Sequence, residues 1–588
     1  MSVLISLTSP TPRANCKELL MYGCPVVHRP IRTLARLSLG FLLVVACYPG
    51  AAAADSTPEK QRGMVVAVSP PGADVGRDIL RKGGNAVDAA VATAFAMAVT
   101  YPAAGNIGGG GFMLIYPPGG KGGPVVIDYR EKAPAAAHKT MYTKKDTWYC
   151  AKAVGVPGTV RGLALAHEKF GKLKWKEVVA PAVRLADEGF FIDDALASSL
   201  NWIVGGSEEF PELRRVLGKN GEANWKAGDR LVQKDLAATL RRIADKGADG
   251  FYKGEVADLL VAEMKRSKGI ITTKDLAEYE AKARQPIHGT YRGYDVYGPP
   301  PPSSGGTCLI EMLNILENFD LRKRDRFSPE TLHLMIEAMR RAYCDRARYL
   351  GDADFVEIPA FLTSKDHARK LSQSIDPRKA TKSEELAKDI PLKGEGDSTT
   401  HFSVLDSDGM AVANTYTLER SYGSRIVVKG AGFVLNNEMM DFNWFPGETT
   451  RDGTIGTEPN QVAPGKRMLS SQTPTIVAKD GKVVLVTGSP GSRTIINTVL
   501  CVIVNTIDFD MNIQAAVDAP RLHHPWFPDK ASFEGVGRYG DAVKRLEAMG
   551  HSVRGTRQGD AHSIALDRRT GKYVGAADHR IDGKVSGD

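Results

Sequence analysis

The chain has 588 residues, 43% of them hydrophobic and 25% charged, which is enough to build a large core without disulfides or metals. The formal net charge is +9. The first 54 residues hold five Arg or Lys against one Glu, so the remainder sits near +5, and with no dense basic run a nucleic-acid-binding role is excluded.

Residues 1–54 read as an export leader. Arg29, Arg32 and Arg36 precede the apolar run Leu39 to Ala46, and Ala51 to Ala54 offer small-residue cleavage sites. That run is too short to span a bilayer, and nothing later reaches about 18 uninterrupted apolar residues. Met21 is an alternative start. Val-Val-Ala-Cys ending at Cys47 loosely fits a lipid-attachment box, so a membrane is involved only if Cys47 is lipidated. Either way, the mature protein is expected in the periplasm or outside the cell.

Beyond the leader lie Cys150, Cys308, Cys344 and Cys501, widely spaced and without a CxxC. This is neither a disulfide framework nor a metal site; small buried side chains with one possible bridge are expected. No cofactor and no metal is expected.

From Met64 the pattern gives a strand, MVVAVS, then a helix from Asp74 to Lys82 stopped by Gly83-Gly84. The alanine-rich stretch Ala86 to Val99 predicts a helix packed very closely on its neighbours. NIGGGGFMLIYPP (106–118) runs a glycine cluster into an apolar strand. It lacks GxxxxGK[ST], so close backbone approach is a better reading than phosphate binding. A second strand is expected over 125–134. Residues 155–285 are mainly helical by pattern, including Val160 to Phe170 and Leu236 to Lys246. PPPPSSGG (299–306) is a rigid turn before a helix from Thr307 to Leu316, and 328–350 gives another helix. Residues 371–398 turn polar and charged, as an exposed segment would. After Thr399 come short strands, with helices near Ile495 to Thr506 and Asp541 to Met549. The mixture implies layered α/β rather than separable domains.

The stretch from Thr399 alternates, with Thr400, Phe402 and Val404 on one face and Thr399, His401, Ser403 and Leu405 on the other. Ser407-Asp408-Gly409 is a three-residue hairpin loop with glycine at the left-handed position. It pairs Asp406 with Met410, which sets Thr399 directly opposite Thr417, at the roughly 5 Å separation of facing side chains. Paired threonines also suit a strand for purely structural reasons.

The wider sequence resembles the gamma-glutamyltransferases of the N-terminal-nucleophile hydrolase superfamily. The likeness runs from about Gly63 to the C-terminus. It rests on the order and spacing of GGNAVDAAVATAFAMAVTYP, NIGGGGFM, DYREKAP, PPPSSGG, EAMRRAYCDRARYLGD, STTHFSV, LNNEMMDF, KRMLSS and TGSPGS. It implies an α/β fold, a four-layer αββα sandwich, made as one precursor that cuts itself at Ser398–Thr399. The products would be a large subunit, 55–398, and a small one, 399–588, together forming one domain. Thr399 would be the nucleophile, its freed α-amino group the base, and Thr417 would orient it. No histidine or metal is needed, which leaves His401 a strand residue.

The same resemblance implies the substrate site. A gamma-glutamyl group carries a free carboxylate and a free ammonium. Arg130 would take the carboxylate with its planar fork, helped by Ser470 and Ser471. Glu419, Glu438 and Asp441 would take the ammonium, and backbone N–H groups of Gly491 and Ser492 the oxyanion. The chain departs from the usual pattern at Glu419, where Asn is common, and at Ser492, where a second glycine is usual and backbone freedom is reduced. Pro446 to Lys466 is long enough for a lid loop, but Asp452 stands where the lid's aromatic residue would be. Three activities follow as expectations: a glutathione hydrolase and gamma-glutamyl transferase, a glutaryl- or cephalosporin-type acylase, and an uncut binding protein. The three clustered acids argue against the acylase, and the intact Thr399, Thr417 and Arg130 set against the binding protein.

Overall fold

A computed structural model describes residues 63–219, 224–387, 390, 400–581 and 583–587. The leader with Met21 and Cys47, and the Ser398–Thr399 bond, lie outside the described residues.

The alternation in the hairpin decides which layer each side chain joins. Strands β1 (Gly63–Ala67), β2 (Gly110–Tyr116), β3 (Val125–Asp128) and β4 (Lys282–Arg284) belong to a first sheet. Strands β5 (Ile287–Tyr291) and β6 (Tyr294–Gly298) belong to a second. After them, β7 (Thr400–Asp406) and β8 (Ala411–Thr417) join the first sheet. Next, β9 (Thr475–Lys479), β10 (Lys482–Thr487), β11 (Ser563–Leu566) and β12 (Tyr573–Ala576) join the second, and β13 (Lys584–Gly587) closes the first. The orders are β13-β1-β7-β8-β2-β3-β4 and β12-β11-β10-β9-β6-β5, and neighbouring strands in both sheets are antiparallel.

Three cores fit this order. Phe402, Val404 and Val412 face helices α1 (Pro70–Arg81) and α2 (Ala86–Thr100). Leu405, Ala413, Leu114 and Val66 point the other way and meet Ile476, Val486 and Ile564 of the second sheet. The far side of that sheet, with Val477 and Leu485, packs under α3 (Gly305–Leu316), α4 (Pro329–Tyr349), α5 (Lys365–Gln373) and α6 (Thr494–Ile507). The result is an αββα sandwich, as the sequence leads one to expect. Among the described residues, no helix is long and apolar enough to cross a membrane.

The hairpin register is the one the loop count predicts. Leu405 faces Ala411 and Thr400 faces Tyr416, Asp406 N donates to Met410 O at 3.0 Å, and Gly409 takes φ +85°. The glycine cluster works by close approach: a Cβ on Gly109 would stand 2.0 Å from the Thr417 carbonyl oxygen, and one on Gly111 2.3 Å from that of Thr415. Every residue of α2 is buried, and Asn85 with Asp88 forms its capping box.

Two expectations are corrected, the extent of a strand and a possible disulfide, and a third is refined. The strand expected over 125–134 stops at Asp128, because Arg130 and Glu131 turn into the buried interior instead of continuing the ladder. The segment expected to be exposed over 371–398 is largely so where it is described, with nine of residues 371–387 exposed. Ser372, Ile375, Ala380, Ser383 and Ala387 are buried anchors within it, Ser383 N donates to Asp529, and Arg341 holds Thr381. The possible bridge among Cys150, Cys308, Cys344 and Cys501 is not formed; three of them are buried and Cys150 is half-buried.

Candidate active site

Thr417 ends β8 with its backbone fixed on two sides. Its carbonyl accepts from Asn106 Nδ2 at 2.9 Å, and its hydroxyl accepts from the Glu419 N–H at 2.8 Å. The second contact closes a tight turn in which Glu419 adopts φ +74°, a left-handed conformation uncommon for a side chain of this length. The turn sends Glu419 inward, buried, with Oε1 lacking a hydrogen-bond partner. Asn437 N donates to the Leu418 carbonyl at 3.0 Å, and this contact brings the short turn Glu438–Asp441 against the end of the hairpin.

Arg130 arrives from the end of β3 and is fully buried. Its Nη1 donates to Glu438, its Nη2 to Asp441, and its Nε to the Met468 carbonyl at 3.3 Å. Glu131 lies 3.6 Å from Nη1 with neither carboxyl oxygen hydrogen-bonded. Four acids thus gather about one guanidinium. Burial, then the neighbouring carboxylates, pushes the Glu419 and Glu131 carboxyls well above the ordinary carboxylate range. Burial pushes Glu438 up to about 8, while Arg130 and a hydrogen bond from Thr417 work the other way. Burial thus favours the neutral form of these acids, and a bound cation would favour the charged one.

Ser470 and Ser471 form the opposite wall. Ser470 Oγ accepts from Gln472 N at 3.0 Å, and the Ser470 carbonyl is clasped by the Ser304 N–H and hydroxyl. Ser471 Oγ accepts from Arg346 Nη2 at 3.0 Å, while Arg346 Nε donates to Ser304 Oγ at 2.8 Å. Gly491 and Ser492 stand just before the N-terminus of α6, with φ of +119° and +49°. Ser492 thus takes a left-handed backbone in spite of its side chain, at a helix end where the dipole favours negative charge.

A cleft of about 320 Å³ is lined by Arg130, Glu419, Asp441, Ser470, Ser471 and Ser492. Thr417, Glu438 and Gly491 are not among its lining residues. Its mouth is aromatic: Trp148, Phe442, Trp444 and Phe445 line it, with Trp444 stacked on Tyr142 at 3.8 Å. Gly453, Thr454 and Ile455 of the Pro446 to Lys466 loop reach the cleft, and Asp452 is exposed. Sequence reasoning missed Glu131 and Arg346, although DYREKAP and EAMRRAYCDRARYLGD contain them. Burial of an acid beside Arg130 was the available signal for Glu131.

His401 is buried between the sheets, its Nδ1 on Thr415 Oγ1 at 2.8 Å and its Nε2 on Ser403 Oγ at 3.1 Å. Burial, with His562 nearby, pulls its pKa well below the usual histidine value.

Two antiparallel sheets stacked between helical layers, with a charged cleft at the end of the central hairpin, define an N-terminal-nucleophile hydrolase. A solved cephalosporin acylase from Bacillus halodurans shares the architecture, with a TM-score of 0.79 at 28% identity over 92% of this chain and 99% of that one. The gamma-glutamyltranspeptidase family model matches residues 72–588. The glutathione hydrolase proenzyme of Escherichia coli K12 is 44% identical over 580 residues, 94% of this chain and 99% of that protein. The glutathione hydrolase proenzyme of Pseudomonas sp. A14 is 45% identical over 89% of this chain and 92% of its own length. The chain belongs to the gamma-glutamyltranspeptidase family.

Proposed function

We propose that this protein is a self-processing glutathione hydrolase and gamma-glutamyltransferase, cut between Ser398 and Thr399 into subunits 55–398 and 399–588. The observation that carries the reading is the hairpin register, in which Thr400 faces Tyr416; the same register continued by one residue would bring 399 opposite Thr417, whose hydroxyl meets the acid cluster. Relatives that are proenzymes over nearly the whole chain support it.

In this reading the Thr399 hydroxyl attacks the Ser398 carbonyl and the C–N bond breaks, which moves the acyl group onto oxygen as an ester and releases the α-amino group; water then hydrolyses the ester, freeing the hydroxyl and leaving Ser398 as a carboxylate. That amine, with an ordinary pKa of about 8, then takes the proton as the same hydroxyl attacks a gamma-glutamyl carbonyl, and it returns the proton to the leaving amine. Gly491 and Ser492 N–H groups hold the oxyanion. Water or an amino acid's amine accepts the glutamyl group from the ester.

The paired state of Arg130 supports a zwitterionic substrate. Its carboxylate would take guanidinium hydrogen bonds, with Ser470 and Ser471 beside them, while its ammonium would replace the lost charge for Glu419, Glu438 and Asp441. Two unlike charges enter together and the buried balance is kept. Small-molecule gamma-glutamyl compounds are the substrates, and no cofactor takes part. Export directed by residues 1–54 would put the enzyme in the periplasm or outside the cell, membrane-bound only if Cys47 is lipidated.

A denaturing gel with N-terminal sequencing tests the processing. Two bands are expected, the smaller of 190 residues and beginning Thr-Thr-His; a single band at precursor mass rejects it. The acylase reading has the Bacillus halodurans likeness in its favour. A glutaryl group lacks the ammonium, however, and would take from Arg130 without compensating the acids. A gamma-glutamyl anilide should exceed the glutaryl anilide in kcat/KM by roughly 10- to 100-fold, the equivalent of about 1.5–3 kcal/mol for hydrogen bonds to a charged group. A glutaryl preference in that comparison would transfer the assignment to the acylases.

A further inference from the structure

Away from the cleft, three helices of the outer layer bring an acid, an acid and an imidazole together. Glu311 on α3, Asp345 on α4 and His367 on α5 have ligand atoms within 4.8 Å of one another. His367 Nε2 lies 2.9 Å from Asp345 Oδ2 and 3.8 Å from Glu311 Oε1. The Glu311 side chain is 1% exposed, and its Oε1, facing the imidazole, has no hydrogen-bond partner. A buried carboxyl oxygen left without a donor is costly, and here it lies 3.8 Å from the imidazole nitrogen while the same carboxyl contacts Asp345.

Three other His and acid groups of this kind occur among the described residues, and each is already compensated by arginine. Glu337, between His333 and His551, is held by Arg340 and Arg341. Asp578, beside Asp518 and His579, is held by Arg521 and Arg580. Glu438 and Asp441 are held by Arg130. In the Glu311 group the guanidinium of Arg348 lies 3.2 Å from one oxygen of Asp345, Oδ1. The inner oxygens, Asp345 Oδ2 and Glu311 Oε1, face the imidazole.

We propose that Glu311, Asp345 and His367 form a divalent transition-metal site that takes Zn²⁺ and ties the three outer helices together. Zinc accepts both carboxylate oxygen and imidazole nitrogen at about 2.0–2.2 Å, which in a tetrahedron sets ligand atoms about 3.3 Å apart, between the 2.9 and 3.8 Å that separate the imidazole from its two acids. Its two positive charges match two carboxylates, which a lone histidine cannot do. The side chain of His367 is 20% exposed, so the fourth position opens toward solvent and a water can fill it. Asp345 precedes Arg346, the residue that braces Ser304 and Ser471, so the clasp would steady one wall of the cleft without touching substrate.

The test uses the full processed protein, stripped with a chelator, desalted, and loaded with zinc chloride alone. One zinc retained per molecule is expected, with a thermal midpoint that rises with zinc concentration. Glu311→Gln and His367→Gln should each weaken zinc binding at least tenfold, with unchanged far-UV circular dichroism, while His333→Asn should bind as the wild type does. If Glu311→Gln fails to fold, His367, at the partly exposed edge of the group, still decides the matter. Equal zinc retention by wild type and His367→Gln overturns the proposal, and so does a wild type that retains none.

Discussion

Thr399→Ala is expected to remain a single chain of precursor mass and to lose on the order of 10⁴-fold or more in kcat, the scale seen when a covalent nucleophile is removed. Two losses coincide. Alanine has no hydroxyl to attack the Ser398 carbonyl, so the bond is not cut and no α-amine is released to act as base. Nor is there an oxygen to carry the glutamyl group. Thr399→Ser separates these effects, since it keeps the hydroxyl: it should be cut, more slowly, and retain measurable turnover. Gel mobility, N-terminal sequence and anilide turnover are read on the same samples. Normal two-band processing of Thr399→Ala would assign the nucleophile elsewhere, and the Thr417 hydroxyl, close to Glu438, would be the first residue to examine.

What was legible in the sequence was what short range determines. The loop Ser407-Asp408-Gly409 fixes how β7 meets β8, because a three-residue loop with a left-handed glycine leaves one register. The same count yields Thr400 against Tyr416 in the structure. The alanines of α2 announce close packing because nothing larger fits: a Cβ added at Gly76 on α1 would stand 2.3 Å from Thr93 Oγ1. The charge arrangement around Arg130 was not legible. Position 130 and the turn at 438–441 are about 300 residues apart, and only the order of the first sheet, in which β2 lies between β8 and β3, brings them together. A list of an arginine and three acids suggested one site for carboxylate and another for ammonium; the fold pairs the two sets directly. The backbone at Ser492 is a similar case. Its reduced freedom follows from the sequence, whereas its left-handed φ is imposed by the entrance to α6.

Arg130 carries the second large effect. Arg130→Lys preserves the charge, yet a fall of roughly 10²- to 10³-fold in gamma-glutamyl kcat/KM is expected, mostly through KM. The guanidinium reaches Glu438 and Asp441 with separate nitrogens while Nε holds the Met468 carbonyl. A single ammonium at the end of a flexible stem cannot span those positions or present a fork to a carboxylate. Arg130→Met goes further, because it leaves Glu438, Asp441, Glu131 and Glu419 with no cation at their centre. Removing one partner of a buried pair costs about 3–5 kcal/mol, moderated here because the acids can take up protons, as burial already inclines Glu419 and Glu131 to do. Unfolding of Arg130→Met should therefore become pH-dependent in one direction. Carboxyls with raised folded-state pKa values stabilise most while protonated and lose that contribution as pH rises through those values. The deficit against wild type should be smallest at acid pH and widen toward and above pH 8, where Glu438 in the native cluster would itself ionise. Adding Asp441→Asn should recover part of it, as expected for contacting partners whose effects do not add. A pH-independent deficit, or a double variant that loses the full sum, would mean that the acids are compensated by some group other than Arg130.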